Sequence, residues 1–95
     1  MFIVLLNFST NKPQAGQFME AHKDWLNRGF DDGVFLLSGS LLPQQGGAIF
    51  AHDISREALE RRVKDDPFVV ADVVSPSILE IDPSKADPRL AFLID

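Results

Sequence analysis

Cysteine is absent from this chain of 95 residues. Its absence excludes disulfides, thiolate nucleophiles and cysteine-ligated zinc or iron–sulfur sites. Basic residues are few: 9 Lys and Arg stand against 14 Asp and Glu, so the formal net charge is −5. They are scattered rather than gathered in a stripe, and we expect no nucleic-acid partner. The two histidines are far apart and show no ligand spacing, so we expect no metal and no cofactor.

Long apolar runs are also lacking. The apolar opening, residues 1–6, is too short to cross a bilayer. It has neither the basic region nor the cleavage site of a signal peptide. We therefore expect a buried strand there, no membrane partner and a cytoplasmic protein. With 45% hydrophobic and 24% charged residues, the composition is typical of one globular domain, residues 1–95.

The first half of the chain predicts a strand followed by a helix. Residues 2–8 form a continuous β-prone run. Residues 9–11, Ser-Thr-Asn, offer N-capping oxygens for a helix that starts near Pro13. Gly29 and Gly33 could each take the left-handed position that ends this helix. We favour Gly33, because a strongly β-prone segment follows it directly.

The middle of the chain predicts a β-hairpin. Residues 34–42 predict a second strand, in which Ser38-Gly39-Ser40 suggests a bulge or a close backbone approach. A turn at residues 43–47, which includes Gly46-Gly47, leads to a third strand at residues 48–51.

A helix and a strand complete the predicted domain. Ser55 is a suitable cap for a second helix from Arg56 to Lys64, and Pro67 stops it. Residues 73–81 predict a fourth strand, in which Pro76 marks an edge or a bulge. The domain core then covers about residues 2–81 and leaves a tail at 82–95.

This order of elements predicts an α+β, ferredoxin-like βαββαβ fold. Such a fold has a four-stranded antiparallel sheet with both helices on one face. Residues 2–8 place apolar side chains on both sides of their strand. The second face of the sheet therefore needs a cover, and a second copy of the chain is the simplest one. We expect a homodimer, with the apolar end of the tail as a further candidate contact.

His22 lies within an apolar helical stripe that includes Met19 and Trp25. A lone histidine on a helix is more often structural than catalytic. A buried imidazole needs a hydrogen-bond partner, and Asp66 is a candidate because Pro67 restricts its backbone. Together they would form a general base with an orienting carboxylate, the candidate catalytic pair.

Other residues are candidates for a substrate pocket around this pair. Ser38, Gly39 and Ser40 could lend hydroxyl and amide donors to an anionic ligand, or could equally form an exposed strand bulge. Trp25 and Phe68 suit either the core or the pocket wall. The second histidine, in His52-Asp53, is better explained as a surface residue.

At these residues the chain resembles the YCII-related (YciI-like) protein family. The resemblance implies a ferredoxin-like fold, dimerisation into an α+β barrel, and a His–Asp dyad in a cleft. His22 and Asp66 would be that dyad, and Ser38 to Ser40 would line the cleft. The matching positions are His22, Gly33, Phe35 to Ser40, Gly46-Gly47 and Asp65 to Val69.

The chain departs from the family pattern at two positions. Many members have Gly-Pro where this sequence has Gly39-Ser40, and a glycine where it has Asp72. The first change alters what the cleft accepts, and the second concerns the local backbone. The best-known activity in the family is a dehydrochlorinase of chlorinated hydroquinones.

Two functions follow from these residues. The first is a small cofactor-independent enzyme that transfers a proton on a small aromatic or carbonyl substrate, with a lyase, isomerase or dehalogenase outcome. The alternative is a non-catalytic dimeric module that binds a small ligand or anion. RNA-recognition domains share the element order, but they need basic and aromatic residues on the third strand. Haem-binding dimeric barrels share it too, and no feature of this sequence singles out a haem pocket.

Overall fold

The computed structural model describes residues 1–94 and has the predicted ferredoxin-like α+β fold. The last tail residue, Asp95, lies outside the described residues. The elements are β1 (Phe2–Phe8), α1 (Ala15–Asp31), β2 (Phe35–Leu41), β3 (Gly46–Ala51), α2 (Arg56–Lys64), α3 (Pro67–Val70) and β4 (Val74–Glu80).

The four strands form one antiparallel sheet in the order β2-β3-β1-β4. Pro76 lies in β4 at the edge, where a missing N–H leaves no central ladder bond unmade. On β1, Phe2, Val4 and Leu6 are buried and share one core with Trp25 of α1 and Leu59 of α2. The helices therefore cover this face of the sheet.

The opposite side of the sheet, which we call the outer face, is also apolar. On it Ile3 pairs with Phe50 of β3 and with Leu79 of β4, and Phe50 pairs in turn with Leu37 of β2. Leu37 and Leu79 are 55% and 51% exposed. Apolar residues thus run across all four strands on the side away from the helices.

The end of α1 matches the prediction that placed it at Gly33. Gly33 has a φ of 75°, and its N–H donates to the Phe30 carbonyl at 3.0 Å. The Val34 N–H donates to the Gly29 carbonyl, also at 3.0 Å. These two bonds make a Schellman motif. It turns the chain directly into β2.

The start of α1 differs from the prediction. A 3-10 turn, Lys12–Gln14, precedes the helix, and neither the turn nor the helix has a side-chain cap. Instead, the Asn11 side chain donates to the Ala71 carbonyl at 2.8 Å, and the Ser9 hydroxyl donates to Asp72 at 3.3 Å. The predicted capping was wrong, because these polar groups bond to a distant loop.

Asp72 occupies the position at which many members of the resembled family have glycine. Its φ is 60°, in the left-handed region. Among residues with a Cβ, aspartate is one of the few that adopt this conformation routinely. The departure from the pattern therefore keeps the backbone turn that a glycine would make.

The β2–β3 hairpin corrects a second prediction. The irregularity of β2 lies between Phe35 and Leu37, whereas Ser38, Gly39 and Ser40 pair regularly with β3. A Cβ at Gly39 would meet nothing within 4 Å. The close backbone approach is at Gly46, where a Cβ would collide with the Leu6 carbonyl. Accordingly, β3 begins at Gly46, two residues before its predicted start.

The helix α2 has its predicted bounds, and the Ser55 hydroxyl accepts from the Ala58 N–H at 3.1 Å. Pro67 follows it and starts the four-residue helix α3, which was not predicted. Proline suits the first position of a helix because no partner is needed there for an N–H. This short helix fixes the residue before it, Asp66.

The tail after β4 contains a 3-10 segment, Pro88–Leu93. The Arg89 side chain and then its backbone N–H donate to Asp87, and these hydrogen bonds hold the pKa of that carboxyl below its usual value. The Phe92 ring lies 5.4 Å from the ring of His52. Over residues 1–94, no helix combines the length and apolar character needed to cross a bilayer.

Candidate functional site

The two residues of the predicted pair meet. His22 Nδ1 lies 2.7 Å from Asp66 Oδ1. The His22 side chain is 12% exposed and that of Asp66 is fully buried. An ionised carboxylate can only accept, so Nδ1 is the donor in this bond, and in the neutral form of the ring the lone pair is then on Nε2. The pair therefore has the form of a base held by a carboxylate.

Local backbone structure fixes the position of Asp66. It is extended, with φ −60° and ψ 123°, and is the N-cap of α3. Its Oδ1 accepts from the Phe68 N–H at 3.0 Å, and its carbonyl accepts from Val69 N–H at 2.8 Å. Within residues 1–94, the second carboxylate oxygen is buried and has no hydrogen-bond partner. One oxygen thus serves both the helix cap and the imidazole.

Aromatic rings fix the orientation of the imidazole. The Phe68 ring is nearly parallel to His22, with centroids 4.1 Å apart and planes at 7°. The ring centroids of Trp25 and His22 are 5.8 Å apart. The Trp25 indole N–H donates to the Arg62 carbonyl at 2.9 Å. With Asp66 bound to Nδ1, the ring has little freedom to rotate.

A cavity of about 280 Å³ adjoins His22, between α1 and the helix-facing side of the sheet. Of the predicted pocket residues, Ser38, Gly39, Ser40 and Phe68 line it. Trp25 does not line it. It is 2% exposed and belongs to the core, where its ring packs against that of Phe35 with the centroids 5.2 Å apart. The structure thus places four of the five pocket candidates around the imidazole.

Several lining residues were not predicted as part of the pocket. Met19 and Leu26 lie three before and four after His22, so the helical period could have placed them. Gly46 and Gly47, interpreted as a turn, belong to the wall because the hairpin register pairs Gly47 with Ser40. Lys23 also lines the cavity, and the helical period could have placed it too, because it lies four residues after Met19 and three before Leu26.

The remaining candidates lie elsewhere. His52 is half-buried against the tail, and Asp53 is exposed with a φ of 55°. Neither lines the cavity. In the part of the chain that the structure describes, no group of three His, Asp or Glu side chains could hold a metal ion.

Comparison with known proteins supports the fold. No protein-family model and no curated protein sequence matches the chain. A solved structure that is similar to it is 5-chloro-2-hydroxyhydroquinone dehydrochlorinase from Burkholderia phenoliruptrix, in complex with 2,5-dihydroxybenzoquinone. The TM-score is 0.70 at 14% identity, over 85% of this chain and 93% of that one. At this identity the likeness shows that the two proteins share a fold.

Proposed function

We propose that the protein is a small, cofactor-independent enzyme of the YciI-like kind. In this proposal His22 removes a proton from a small substrate in the cavity, and Asp66 orients it. The observation that carries the proposal is the 2.7 Å contact between these side chains at the wall of a cavity. General-base assistance of this kind contributes about 10²–10⁴ in rate.

The proton transfer can be written for these residues. Nε2 of His22 takes the proton, and Asp66 stabilises the imidazolium that forms. The electron pair left on the substrate moves into a carbonyl or ring. In an elimination it then expels a leaving group, and His22 gives its proton to water. In an isomerisation the same proton returns to a different substrate atom.

The similar structure and the cavity size support a one-ring substrate. The dehydrochlorinase of similar fold holds a dihydroxybenzoquinone. A volume of about 280 Å³ lies at the small end of ligand pockets. Hydroxylated and chlorinated aromatic compounds are therefore the first substrates to test.

We also propose that the active form is a cytoplasmic homodimer. The resemblance implies a dimeric barrel, and the exposed outer face supports self-association because it is apolar on every strand. The cytoplasmic location is a prediction from the cysteine-free composition.

Turnover tests the proposed pair directly. We expect the wild-type protein to release chloride from chlorinated hydroxyhydroquinones, or to exchange carbon-bound hydrogen for deuterium in hydroxylated aromatic and carbonyl compounds. Chloride assay and NMR measure the two outcomes. His22→Gln should lower either rate by about 10²–10⁴, because the glutamine amide is not a base at neutral pH.

The second histidine provides a matched control. His52→Gln removes an imidazole that does not line the cavity, and it should retain the wild-type rate. Equal rates in the wild type and His22→Gln would contradict the proposal. Saturable binding of these compounds without turnover or exchange would also contradict it, and would favour the ligand-binding module.

A further inference from the structure

The charge of the cavity wall is opposite in sign to that of the whole protein. The chain carries 14 acidic residues and a net charge of −5. Within residues 1–94, however, none of these carboxylates lines the cavity, and its ionisable lining residues are His22 and Lys23. Asp66 lies behind the wall, hydrogen-bonded to His22. The wall thus presents a cation beside the base and no competing anion.

Lys23 is available to a ligand. It follows His22 in α1, is exposed, and lines the cavity. Among the described residues it forms no ion pair. Arg56 and Arg62, by contrast, both bond to carboxylates. A compound in the cavity would therefore not have to displace a protein carboxylate from Lys23.

Lys12 adds a second cation next to the same wall. It lines a neighbouring hollow that shares Phe8, Ser40 and Gly46 with the cavity. Its Nζ lies 4.7 Å from the centroid of the Phe8 ring, and it too has no ion pair within residues 1–94. The two hollows are therefore contiguous and have an unpaired lysine in each.

We propose that the cavity selects small, flat substrates that carry a negative charge, as a carboxylate or an ionised enol or phenol. Lys23 and Lys12 attract the charged group, and the hydroxyls of Ser38 and Ser40 donate to it. The apolar body of the substrate packs against the rest of the wall, which includes Phe68. The reaction rests on the proposed function, whereas the preference for anions does not.

A negative substrate also suits the proposed proton transfer. An anion next to His22 stabilises the imidazolium that forms when the ring takes a proton. Lys23 in turn stabilises the electron pair left on the substrate. The lysines therefore act on both binding and the transition state, as specificity-determining residues rather than as the base.

Benzoate and benzamide are a matched pair of probes, since they have nearly the same shape and differ in charge. Isothermal titration calorimetry of the wild-type protein should show tighter binding of benzoate, with an affinity that falls as salt is added. Amide NMR shifts should map it to α1 and β2. The double variant Lys12→Gln/Lys23→Gln should lose about tenfold in benzoate affinity, close to 1.4 kcal/mol, and retain that for benzamide.

Lys64→Gln/Lys85→Gln removes two exposed lysines that line neither hollow, and serves as the control for net charge. Equal affinities for the two probes would overturn the inference. So would equal losses of benzoate affinity in Lys64→Gln/Lys85→Gln and Lys12→Gln/Lys23→Gln, or no saturable benzoate binding at millimolar concentration. His22→Gln should keep the preference for benzoate while losing turnover. The proposed reaction can therefore fail while the preference for anions is confirmed, and the preference for anions can fail while the reaction is confirmed.

Discussion

Asp66 makes two hydrogen bonds with a single oxygen. Oδ1 accepts from His22 and from the Phe68 N–H, while Oδ2 has no partner within the described residues. The residue is fully buried, and a buried carboxylate that loses its partners is costly. Asp66 therefore links the stability of α3 to the orientation of the candidate base.

Two substitutions at Asp66 separate these roles. Asp66→Asn keeps an oxygen for the Phe68 N–H but offers the imidazole a neutral partner, so we expect turnover to fall at least about tenfold with little loss of stability. Asp66→Ala removes both contacts. The free energy of unfolding should then fall by about 2–4 kcal/mol, measured by urea denaturation.

The comparison of the two variants decides the interpretation. If Asp66→Asn and Asp66→Ala unfold at the same urea concentration, the cap on α3 does not contribute to stability. If Asp66→Asn retains full turnover, the negative charge on Asp66 is not needed to hold the base.

Secondary structure could be predicted where both partners of an interaction lie close in sequence. The Ser55 cap of α2 and the glycine end of α1 are such cases. The failed prediction at Ser9 and Asn11 concerns side chains whose partners lie 63 and 60 residues away. Local propensity carries no information about such partners. The helix α3 was missed for a different reason: its cap, Asp66, and its first residue, Pro67, are local signals, but a single turn is too short to show a helical period.

Packing between α1 and β2 requires a glycine. A Cβ at Gly29 would collide with the ring of Phe35, so Gly29→Ala should lower the free energy of unfolding by about 1–3 kcal/mol. Gly16, near the start of the same helix, has nothing within 4 Å of its added Cβ. Gly16→Ala should instead raise stability by about 0.5–1 kcal/mol, because alanine loses less backbone entropy in a helix.

Thermal and urea unfolding of the two alanine variants test this contrast. The wild-type helix content, measured by circular dichroism, should be retained in both. A Gly29→Ala protein as stable as Gly16→Ala would mean that the Phe35 ring moves aside at no cost, and that the close approach of helix and strand is not required.

At the scale of the whole molecule, the fold brings together residues that no local pattern connects. His22 and Asp66 are 44 residues apart. The sequence could pair them because each has a local signal: a buried imidazole needs a hydrogen-bond partner, and Pro67 restricts the backbone of Asp66. Lys12 has no such signal, and the helical period places Lys23 beside Met19 and Leu26 without linking it to Lys12. The two lysines reach one wall because the turn before α1 and the first half of α1 both lie beside the β2–β3 hairpin.

The outer face should hold two copies of the chain together. Leu37 lies on this face and is 55% exposed, so Leu37→Lys would place a charge in the proposed interface, where its desolvation opposes association. Val70 of α3 is 73% exposed on the helical side, and Val70→Lys is the matched control. In sedimentation velocity at micromolar concentration, the wild type and Val70→Lys should be dimers, and Leu37→Lys should shift towards the monomer. A monomeric wild type would refute the dimer, and a dimeric Leu37→Lys would place the interface on another surface.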